Sequence, residues 1–535
     1  MEKKAKSYAF RSSGKISSLT KLIVALIFAA LVIFPLIRMF LFIDGQSLSK
    51  VFSGPTFLTS LKNSLLVALT ATAITIVIAY FLALCIERSR VKFKGIFSII
   101  LILPMLIPSI SHGMGLVVLL GNNGVLTRLF HLDFNIYGFG GIVAGSVMYA
   151  FPVAFLMIKD VLRYENKAVY EAADILGIPK YRQFFSIGLP YLRKPLISVV
   201  FAVFTLIVTD YGVPLMVGGK FSTIPVIMYQ EVIGQLDFGR GAVYGVVLLI
   251  PAVIAFIFDL INKDKANSAF VIQKFEGSKN KLVNGASYIF LIAMSLCVLL
   301  PIISFIILGF AQSYPSDMMF TLENITKTLD MNAGQYLLNS VVIALAVSAI
   351  GVTLSFITAY FTARMKTAST RLLHLIAITS AAVPGIVLGL SYVIVFKGSA
   401  VYGTLAILIM VNIIHFIASP YIMMYNSFNK INGNLEAVGK TLGIGRLRLI
   451  KDVLLPQSLS TLFEMAGYFF VNSMITISAV SFLANTDTKP VALMINQFEA
   501  QSQLECAAMV SLAILLVNIL FKAIVAFFKK KLSYK

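Results

Sequence analysis

Two short polar stretches stand out in a chain that is otherwise mostly apolar, and their residue types suit binding to a partner surface. They read YEAADILGIPKYRQFFSIGLP at residues 170–190 and LEAVGKTLGIGRLRLIKDVLLP at residues 435–456. Aligned on their glycines, the two stretches share LGI at 176–178 and 442–444 and a final LP at 189–190 and 455–456. Each combines charged side chains with an apolar helix face, so the pattern indicates a repeated docking element rather than a catalytic centre.

Each stretch is predicted to form two short helices joined by a glycine bend. Ala172 and Leu176 lie on one helix face at i, i+4 spacing. Gly177 follows at the position where a left-handed helix cap is favoured, and Pro190 ends the second helix. Because an interior glycine costs a helix roughly 1 kcal/mol, the second glycine at the matched position, Gly443, indicates that the bend is required.

The elements that must position these stretches are membrane spans. The chain has 535 residues, of which 59% are apolar and 13% charged, whereas soluble domains carry about 25% charged residues. A bilayer span needs about 20 apolar residues. Twelve runs meet that requirement: 22–43, 64–86, 96–120, 139–158, 196–217, 241–261, 286–310, 337–363, 372–396, 401–425, 462–484 and 506–528. The predicted fold class is therefore an all-α polytopic membrane protein.

The net charge of +21 reports membrane orientation rather than nucleic-acid binding. With the N-terminus in the cytoplasm, 35 of the 44 Lys and Arg residues fall in cytoplasmic segments, as the positive-inside rule requires. Both termini are then cytoplasmic, and the first apolar run is too long for a signal-peptide core, so it is predicted to be an uncleaved span. The bilayer is a predicted partner and nucleic acid is not.

The predicted topology places both polar stretches in the cytoplasm, after the fourth and tenth spans. For one copy alone, an amphipathic helix resting on anionic lipid headgroups, with Lys180, Arg182 and Lys194 facing the lipid, is the alternative interpretation. Matched Leu-Gly and Leu-Pro spacing in two copies favours docking to a protein instead.

The chain repeats beyond these stretches. Asn-Ser opens a span at residue 63 and again at residue 339, and a proline begins PSISHGMGL at 108 and PGIVLGLSY at 384, so the two pairs have the same separation along the chain. Six spans in each half is an even number, so the two halves are predicted to be parallel repeats. The predicted division is a first half at 1–261, a cytoplasmic linker at 262–285 and a second half at 286–535.

The first polar stretch resembles the EAA loop of ABC-importer permeases. It matches the pattern E-A-A-x3-G-x9-I-x-L-P at Glu171, Ala172, Ala173, Gly177, Ile187, Leu189 and Pro190. The second copy departs from the pattern, since Ala437, Val438 and Gly439 stand at the EAA positions and the acidic residue comes one place early. We call residues 160–195 the first loop and residues 430–456 the second loop.

The resemblance implies a function and partners. In that family the loop couples the permease to an ATP-hydrolysing subunit, so two ABC ATPase subunits and an extracytoplasmic substrate-binding protein are expected, with ATP on the ATPase subunits. A fused permease of this length is similar to ferric-iron importers, then to 2-aminoethylphosphonate and thiamine systems, with polyamine as a further alternative; ferric iron is the favoured substrate. The expected location is the bacterial cytoplasmic membrane. The residues expected to couple are Glu171, Ala172, Ala173, Gly177, Pro190, Glu436, Gly443 and Pro456.

Other candidate sites are weaker. VGGKF at 217–221 lacks the spacing of a phosphate-binding loop, His112, His374 and His415 lack metal-ligand spacing, and no catalytic constellation is apparent. The chain is therefore expected to hold no cofactor or metal and not to be an enzyme. Asp210 and Glu464 are acids near span ends and are possible pathway or gate residues. An ion-coupled secondary transporter is the alternative class, but it usually needs several acids within the membrane.

Overall fold

Within the residues that the structure describes, the protein is all-α apart from one small hairpin, which confirms the predicted all-α class. The computed structural model describes residues 18–131, 133, 135–262, 273, 275–365 and 367–533. Two short strands, β1 (Ala311–Ser313) and β2 (Asp317–Phe320), pair antiparallel. The remaining regular structure in the described ranges is helical.

The helices fall into two runs of similar order. The first run is α1 (Ser18–Phe42), α2 (Gly45–Phe52), α3 (Pro55–Arg88), α4 (Lys94–Ile102), α5 (Ser109–Leu120), α6 (Val125–Phe130), α7 (Phe139–Arg163), α8 (Lys167–Ile175), α9 (Lys180–Gln183), α10 (Leu189–Val208), α11 (Gly212–Val217), α12 (Ile224–Tyr229) and α13 (Phe238–Asn262). The second run is α14 (Lys281–Gly309), α15 (Glu323–Asp330), α16 (Ala333–Arg364), α17 (Ala368–Thr379), α18 (Gly385–Phe396), α19 (Leu405–Phe416), α20 (Ala418–Lys430), α21 (Leu435–Thr441), α22 (Arg446–Leu449), α23 (Leu455–Ile475), α24 (Met494–Ala500) and α25 (Leu504–Ser533).

Nine helices within the described ranges are long and apolar enough to cross a membrane, and the number rises to eleven if each of two bent helix pairs is one span. The chain is therefore a polytopic membrane protein. The predicted count of twelve and the cytoplasmic placement of both termini stay predictions.

Several predicted spans are not single straight helices. The predicted span 96–120 is broken between α4 and α5, where Ile107 is extended before Pro108. The predicted span 372–396 bends by 108° between residues 382 and 385, at Pro384. Proline lacks an amide donor and disfavours a helical residue before it, so the two repeated prolines each end one helix and begin another. Two further predicted spans, 196–217 and 462–484, end early, at Val208 and Ile475.

The repeat extends to backbone detail. A π-helical turn follows α9 at Phe184–Gly188 and follows α22 at Ile450–Leu454, the matched position in the second loop. The hydroxyl of Ser64 accepts a hydrogen bond from the backbone amide of Ile224 at 2.8 Å. In the second half, the hydroxyl of Ser340 accepts one from the backbone amide of Val491, also at 2.8 Å. The two halves therefore share local geometry as well as sequence pattern.

The chain forms two compact units, and neither follows one repeat alone. One unit holds the described residues of Met1–Gly45, Asn332–Leu493 and Ile514–Lys535; in it α1 packs on α18, where the hydroxyl of Tyr392 donates to the carbonyl of Leu31 at 2.8 Å. The other holds those of Gln46–Met331 and Met494–Ala513; in it α3 packs along α7, and α14 packs on α5. The predicted halves at 1–261 and 286–535, with their linker at 262–285, describe the sequence repeat and stay a prediction.

Candidate functional site

The first loop folds as the predicted helix, bend and helix, but the prediction that Pro190 ends the second helix is wrong, because one helical run continues from Lys180 to Val208. The side chain of Asn166 caps α8 by accepting the amide of Ala168 at 3.1 Å. At the other end Gly177 has a φ of +69°, and the amide of Ile178 donates to the carbonyl of Ala173 at 3.0 Å. This bond across a left-handed residue is the Schellman arrangement that ends helices, so Gly177 turns the chain sharply into α9.

The second loop repeats this bend. Gly443 has a φ of +70°, and the amide of Ile444 donates to the carbonyl of Gly439 at 2.8 Å. A non-glycine residue in this region strains the backbone, which explains why glycine stands at both bends. The predicted bend is thus confirmed in both loops.

The apolar residues at the two bends are exposed rather than packed inward. Leu176 is 75% exposed and the matched Leu442 is 67% exposed. Beside them, Ile175 in the first loop and Leu447 in the second are also exposed. Large exposed apolar side chains at the tip of a bend are suited to burial against another protein.

Arg88, the last residue of α3, anchors the first loop. Its guanidinium forms an ion pair with Glu165, whose side chain is 6% exposed, and the hydroxyl of Tyr170 donates to the other oxygen of the same carboxylate. Burial, together with the bond to Glu165, raises the pKa of the Tyr170 phenol above its ordinary value, so the phenol remains a donor. The end of α3 is therefore tied to the base of α8.

Arg364, the last residue of α16, anchors the second loop in a different way. Its side chain is 5% exposed and bonds to both oxygens of Glu436, at 2.5 and 2.6 Å. The same guanidinium donates to the carbonyls of Phe428, Ile431 and Asn432 at 2.7–3.2 Å. The fork of donors on arginine suits this combination of a bidentate carboxylate and several carbonyls.

The structure places the expected coupling residues on both the exposed and the buried sides of the loops. Glu171 is on the exposed face of α8, where it accepts a bond from Lys167 at 2.7 Å and raises the pKa of that lysine. Ala172 is exposed beside it, whereas Ala173 is buried. Pro190 and Pro456 are exposed in the first turns of the helices that follow, α10 and α23.

Charged groups on the bend also differ between the loops. In the first loop the carboxylate of Asp174 accepts bonds from Lys180 at 2.6 Å and from Gln183 at 2.5 Å, which lower the pKa of Asp174 below its ordinary value. In the second loop Lys440 and Arg446 occupy the positions matched to Asp174 and Lys180. The bend of the second loop is thus more basic.

Sequence reasoning omits the anchoring residues. Arg88, Glu165, Tyr170 and Arg364 were not among the predicted site residues, although a signal for the two arginines exists. Their separation along the chain equals that of the repeated prolines, and each ends the long helix that contains the repeated Asn-Ser. Glu436 is among the predicted coupling residues, but its pairing with Arg364 and the pairing of Glu165 with Arg88 could not be predicted, because the two carboxylates stand at unmatched positions.

Asp210 and Glu464 have different surroundings. The carboxylate of Asp210 accepts the amide of Val213 at 3.0 Å and bonds to the hydroxyl of Ser109, the first residue of α5. Glu464 lies on α23 and forms an ion pair with Lys529. The structure thus brings Asp210, but not Glu464, to a broken span.

A cavity of about 430 Å³ lies beside the first loop, and its lining includes Arg88, Glu165, Tyr170 and Gln183. Its charged groups are already paired within the chain. Among the described residues, no group of three or more His, Cys, Asp or Glu side chains is placed to hold a metal ion. The arrangement is that of two exposed bends, each supported at its base by an ion pair within the chain.

Comparison with known proteins finds one family model that matches the chain twice. A family model described as "Binding-protein-dependent transport system inner membrane component" matches residues 75–265 and 351–534. Each matched region contains one of the two loops. The repeat read from the sequence is therefore also a repeat of one family unit.

Individual relatives cover the chain to different extents. The ferric transport system permease protein FbpB of Actinobacillus pleuropneumoniae is 24% identical over 496 residues, 88% of this chain and 72% of that protein. The putative ferric transport system permease protein FbpB 1 of Haemophilus influenzae is 24% identical over 498 residues, 89% of this chain and 78% of that protein. The molybdenum transport system permease protein ModB of Azotobacter vinelandii is 26% identical over 182 residues, 33% of this chain and 80% of that protein.

Proposed function

The chain belongs to the family of binding-protein-dependent transport system inner membrane components, and from that premise we propose that it is the membrane-spanning subunit of an ATP-driven ABC importer. It is a multi-pass protein of the bacterial cytoplasmic membrane, and its family consists of transport permeases rather than enzymes. Both permease halves are carried by this one chain, each with six spans, and both termini lie in the cytoplasm.

The observation that carries the proposal is the pair of matched loops. Each presents an exposed leucine, Leu176 or Leu442, beside a glycine bend with nearly the same φ. Each is braced at its base by the arginine that ends a long helix, Arg88 or Arg364. One ATPase subunit binds each loop, so the complex contains two.

Coupling then follows from differential binding. The ATPase subunits hold and hydrolyse ATP, and this chain holds no nucleotide. Their ATP-dependent motion is passed through the loops to α3, α10, α16 and α23, which shifts the permease between inward-facing and outward-facing states. A ligand shifts such an equilibrium only by its differential affinity for the two states, so the permease needs no tight substrate site.

A binding protein delivers the substrate from outside, and we favour ferric iron as that substrate. The support is that two relatives named for ferric transport cover nearly nine-tenths of this chain, whereas a molybdenum permease covers one-third. The alternatives are 2-aminoethylphosphonate, thiamine or polyamine. The dependence of the family on a binding protein argues against an ion-coupled secondary transporter.

Asp210 is the stronger of the two candidates for the transport path. Its bond to Ser109 joins α11 to the start of α5, directly after the Pro108 break, so a change at this junction would move both elements. Glu464 is half-exposed and paired with Lys529, which suits bracing of α23 and α25. We therefore assign a gate role to Asp210 and a supporting role to Glu464.

Reconstituted uptake tests the proposal. The chain is purified with its ATPase subunits, placed in proteoliposomes and supplied with the binding protein and radiolabelled Fe(III). ATP-dependent uptake that is lost with a hydrolysis-deficient ATPase supports the proposal. Uptake driven by an ion gradient without ATP would contradict it, and ATP-driven uptake of phosphonate, thiamine or polyamine but not iron would contradict only the substrate.

A further inference from the structure

The segment before α14 crosses the base of the first loop. We call it the linker strap and define it as Gln273 together with residues 275–280. The amide of Lys167 donates to the carbonyl of Gln273 at 2.9 Å, and the amide of Gln273 donates to the side chain of Asn166 at 3.3 Å. The strap therefore donates a hydrogen bond to Asn166, the cap of α8, and accepts one from Lys167, the first residue of α8.

Phe275 of the strap covers the anchor of the first loop. The guanidinium carbon of Arg88 lies 3.2 Å from the centre of the Phe275 ring, and the ring of Tyr170 meets Phe275 edge-on with centroids 5.2 Å apart. A guanidinium stacked this closely on an aromatic face is held in orientation as well as attracted. Phe275 thus fixes the arginine that binds Glu165.

The strap is also bonded to the end of α3. The amide of Ser278 donates to the carbonyl of Arg88 at 2.8 Å, and the side chain of Arg90 donates to the carbonyl of Gly277 at 2.8 Å. A Cβ atom on Gly277 would lie 2.5 Å from the carbonyl oxygen of Ser89. Only glycine permits this close approach, so the path of the strap is closely fitted to α3.

At the second loop, nearby backbone carbonyls rather than a strap hold the anchoring arginine. There Arg364 donates to three carbonyls from residues 428–432, next to its bond with Glu436. In the first loop, the arginine is covered by the ring of Phe275, which lies far along the chain. In the second loop, the arginine is held by backbone carbonyls of residues 428–432. The strap therefore acts on one loop of the pair.

We propose that the linker strap clamps the first loop and that Phe275 is a positioning residue for ATP-coupled transport. The strap joins α3, α8 and α14 at one point, so the loop moves with these helices rather than swivelling at its base. The proposal rests on the proposed function, because positioning matters for transport only if an ATPase binds the loop.

Three substitutions test the clamp. Phe275→Ala removes the ring, Phe275→Tyr keeps a stacking ring, and Lys279→Ala changes an exposed residue of the strap as the matched control. Hydrogen exchange at the amides of Lys167 and Ser278 is measured on the purified full chain. Substrate transported per ATP hydrolysed is measured on the reconstituted complex, with equal amounts of assembled complex.

We expect Phe275→Ala to speed exchange at both amides by about two- to thirty-fold, the range for losing a cation–π contact, and to lower substrate transported per ATP. Phe275→Tyr and Lys279→Ala should match the wild type in both measurements. Unchanged exchange in Phe275→Ala overturns the clamp. If Phe275→Ala exchanges faster but transports as much substrate per ATP as the wild type, only the positioning role is overturned. If the wild-type complex itself does not couple ATP hydrolysis to uptake, the proposed function is refuted, independently of the clamp.

Discussion

Arg88 and Arg364 end two long helices, and they support the first and the second loop, respectively, through different contacts. Arg88 binds Glu165, with Tyr170 as a second donor to that carboxylate and Phe275 as a cover. Arg364 binds Glu436 and a collar of backbone carbonyls. The backbone of the bend is nevertheless the same in both loops, so the shared geometry is maintained by two sets of side chains.

This difference explains the departure of the second loop from the EAA pattern. When the loops are aligned on Gly177 and Gly443, Glu436 stands at the position of Tyr170 rather than at that of Glu171. Both Tyr170 and Glu436 serve the anchor, whereas Glu171 faces outward. We therefore propose that Glu436 acts in coupling by holding Arg364, whereas Glu171 acts from the exposed face of the first loop.

The largest expected effect is a difference in stability between lysine variants of the two anchoring arginines, Arg364 and Arg88. Arg364→Lys should lower the free energy of unfolding by about 3 kcal/mol, because one ammonium cannot replace a buried fork that bonds a carboxylate and three carbonyls. Arg88→Lys should lower it by about 1 kcal/mol, because one nitrogen makes the ion pair with Glu165 and chiefly the stacking is lost. Chemical denaturation of the purified variants measures both values, and equal losses would contradict the comparison.

Glutamate substitutions should separate stability from coupling. Glu436→Ala leaves buried Arg364 without its carboxylate and should lower the free energy of unfolding by about 2 kcal/mol, whereas Glu171→Ala removes an exposed, solvent-screened pair and should leave the free energy of unfolding nearly unchanged. Transport per folded molecule should instead fall further in Glu171→Ala, since that side chain is open to a partner. The free energy of unfolding and the transport per folded molecule are measured on one preparation of each variant. A larger loss of stability in Glu171→Ala, or a larger loss of transport in Glu436→Ala, would contradict the roles given to the two glutamates.

The glycine bends should respond alike. Gly177→Val and Gly443→Val each force a β-branched residue to positive φ, at a cost of about 1–2 kcal/mol, and both should reduce ATP-coupled uptake. No atom lies within 4 Å of a Cβ at Gly177, so the effect there is conformational, and Gly177→Asn should be milder. Wild-type uptake by both Val variants would remove the bends from the coupling mechanism.

The smallest expected effect is a pH dependence of the bend in the first loop. The bond from Lys180 lowers the folded-state pKa of Asp174, so its stabilising contribution is complete above the ordinary aspartate pKa of about 3.9 and is lost as the pH falls through the lower folded value. Hydrogen exchange at residues 176–178, corrected for intrinsic rates, should show lost protection at acid pH. Asp174→Asn should abolish this dependence, and residues 442–444, beside Lys440 and Arg446, should lack it.

Much of the fold follows from local sequence, and the anchors do not. Apolar runs and repeated glycines and prolines predict the helices and the bends, because span length and backbone conformation depend on neighbouring residues. Whether Pro108 and Pro384 kink a helix or divide it depends on tertiary packing, so the two breaks could not be predicted from local sequence. The pairing of Arg88 with Glu165 joins residues 77 positions apart, and no local pattern encodes it.

Site-specific photo-cross-linking tests the central claim most directly. A benzoylphenylalanine in place of Leu176 or of Leu442 puts a reactive group at the exposed tip of one loop, and the same group in place of Leu296, exposed on α14, serves as the lipid-facing control. The account predicts that both loop positions cross-link to the ATPase subunit, with yields that change on ATP binding, and that position 296 does not. Cross-linking at one loop only, or at neither, would contradict it.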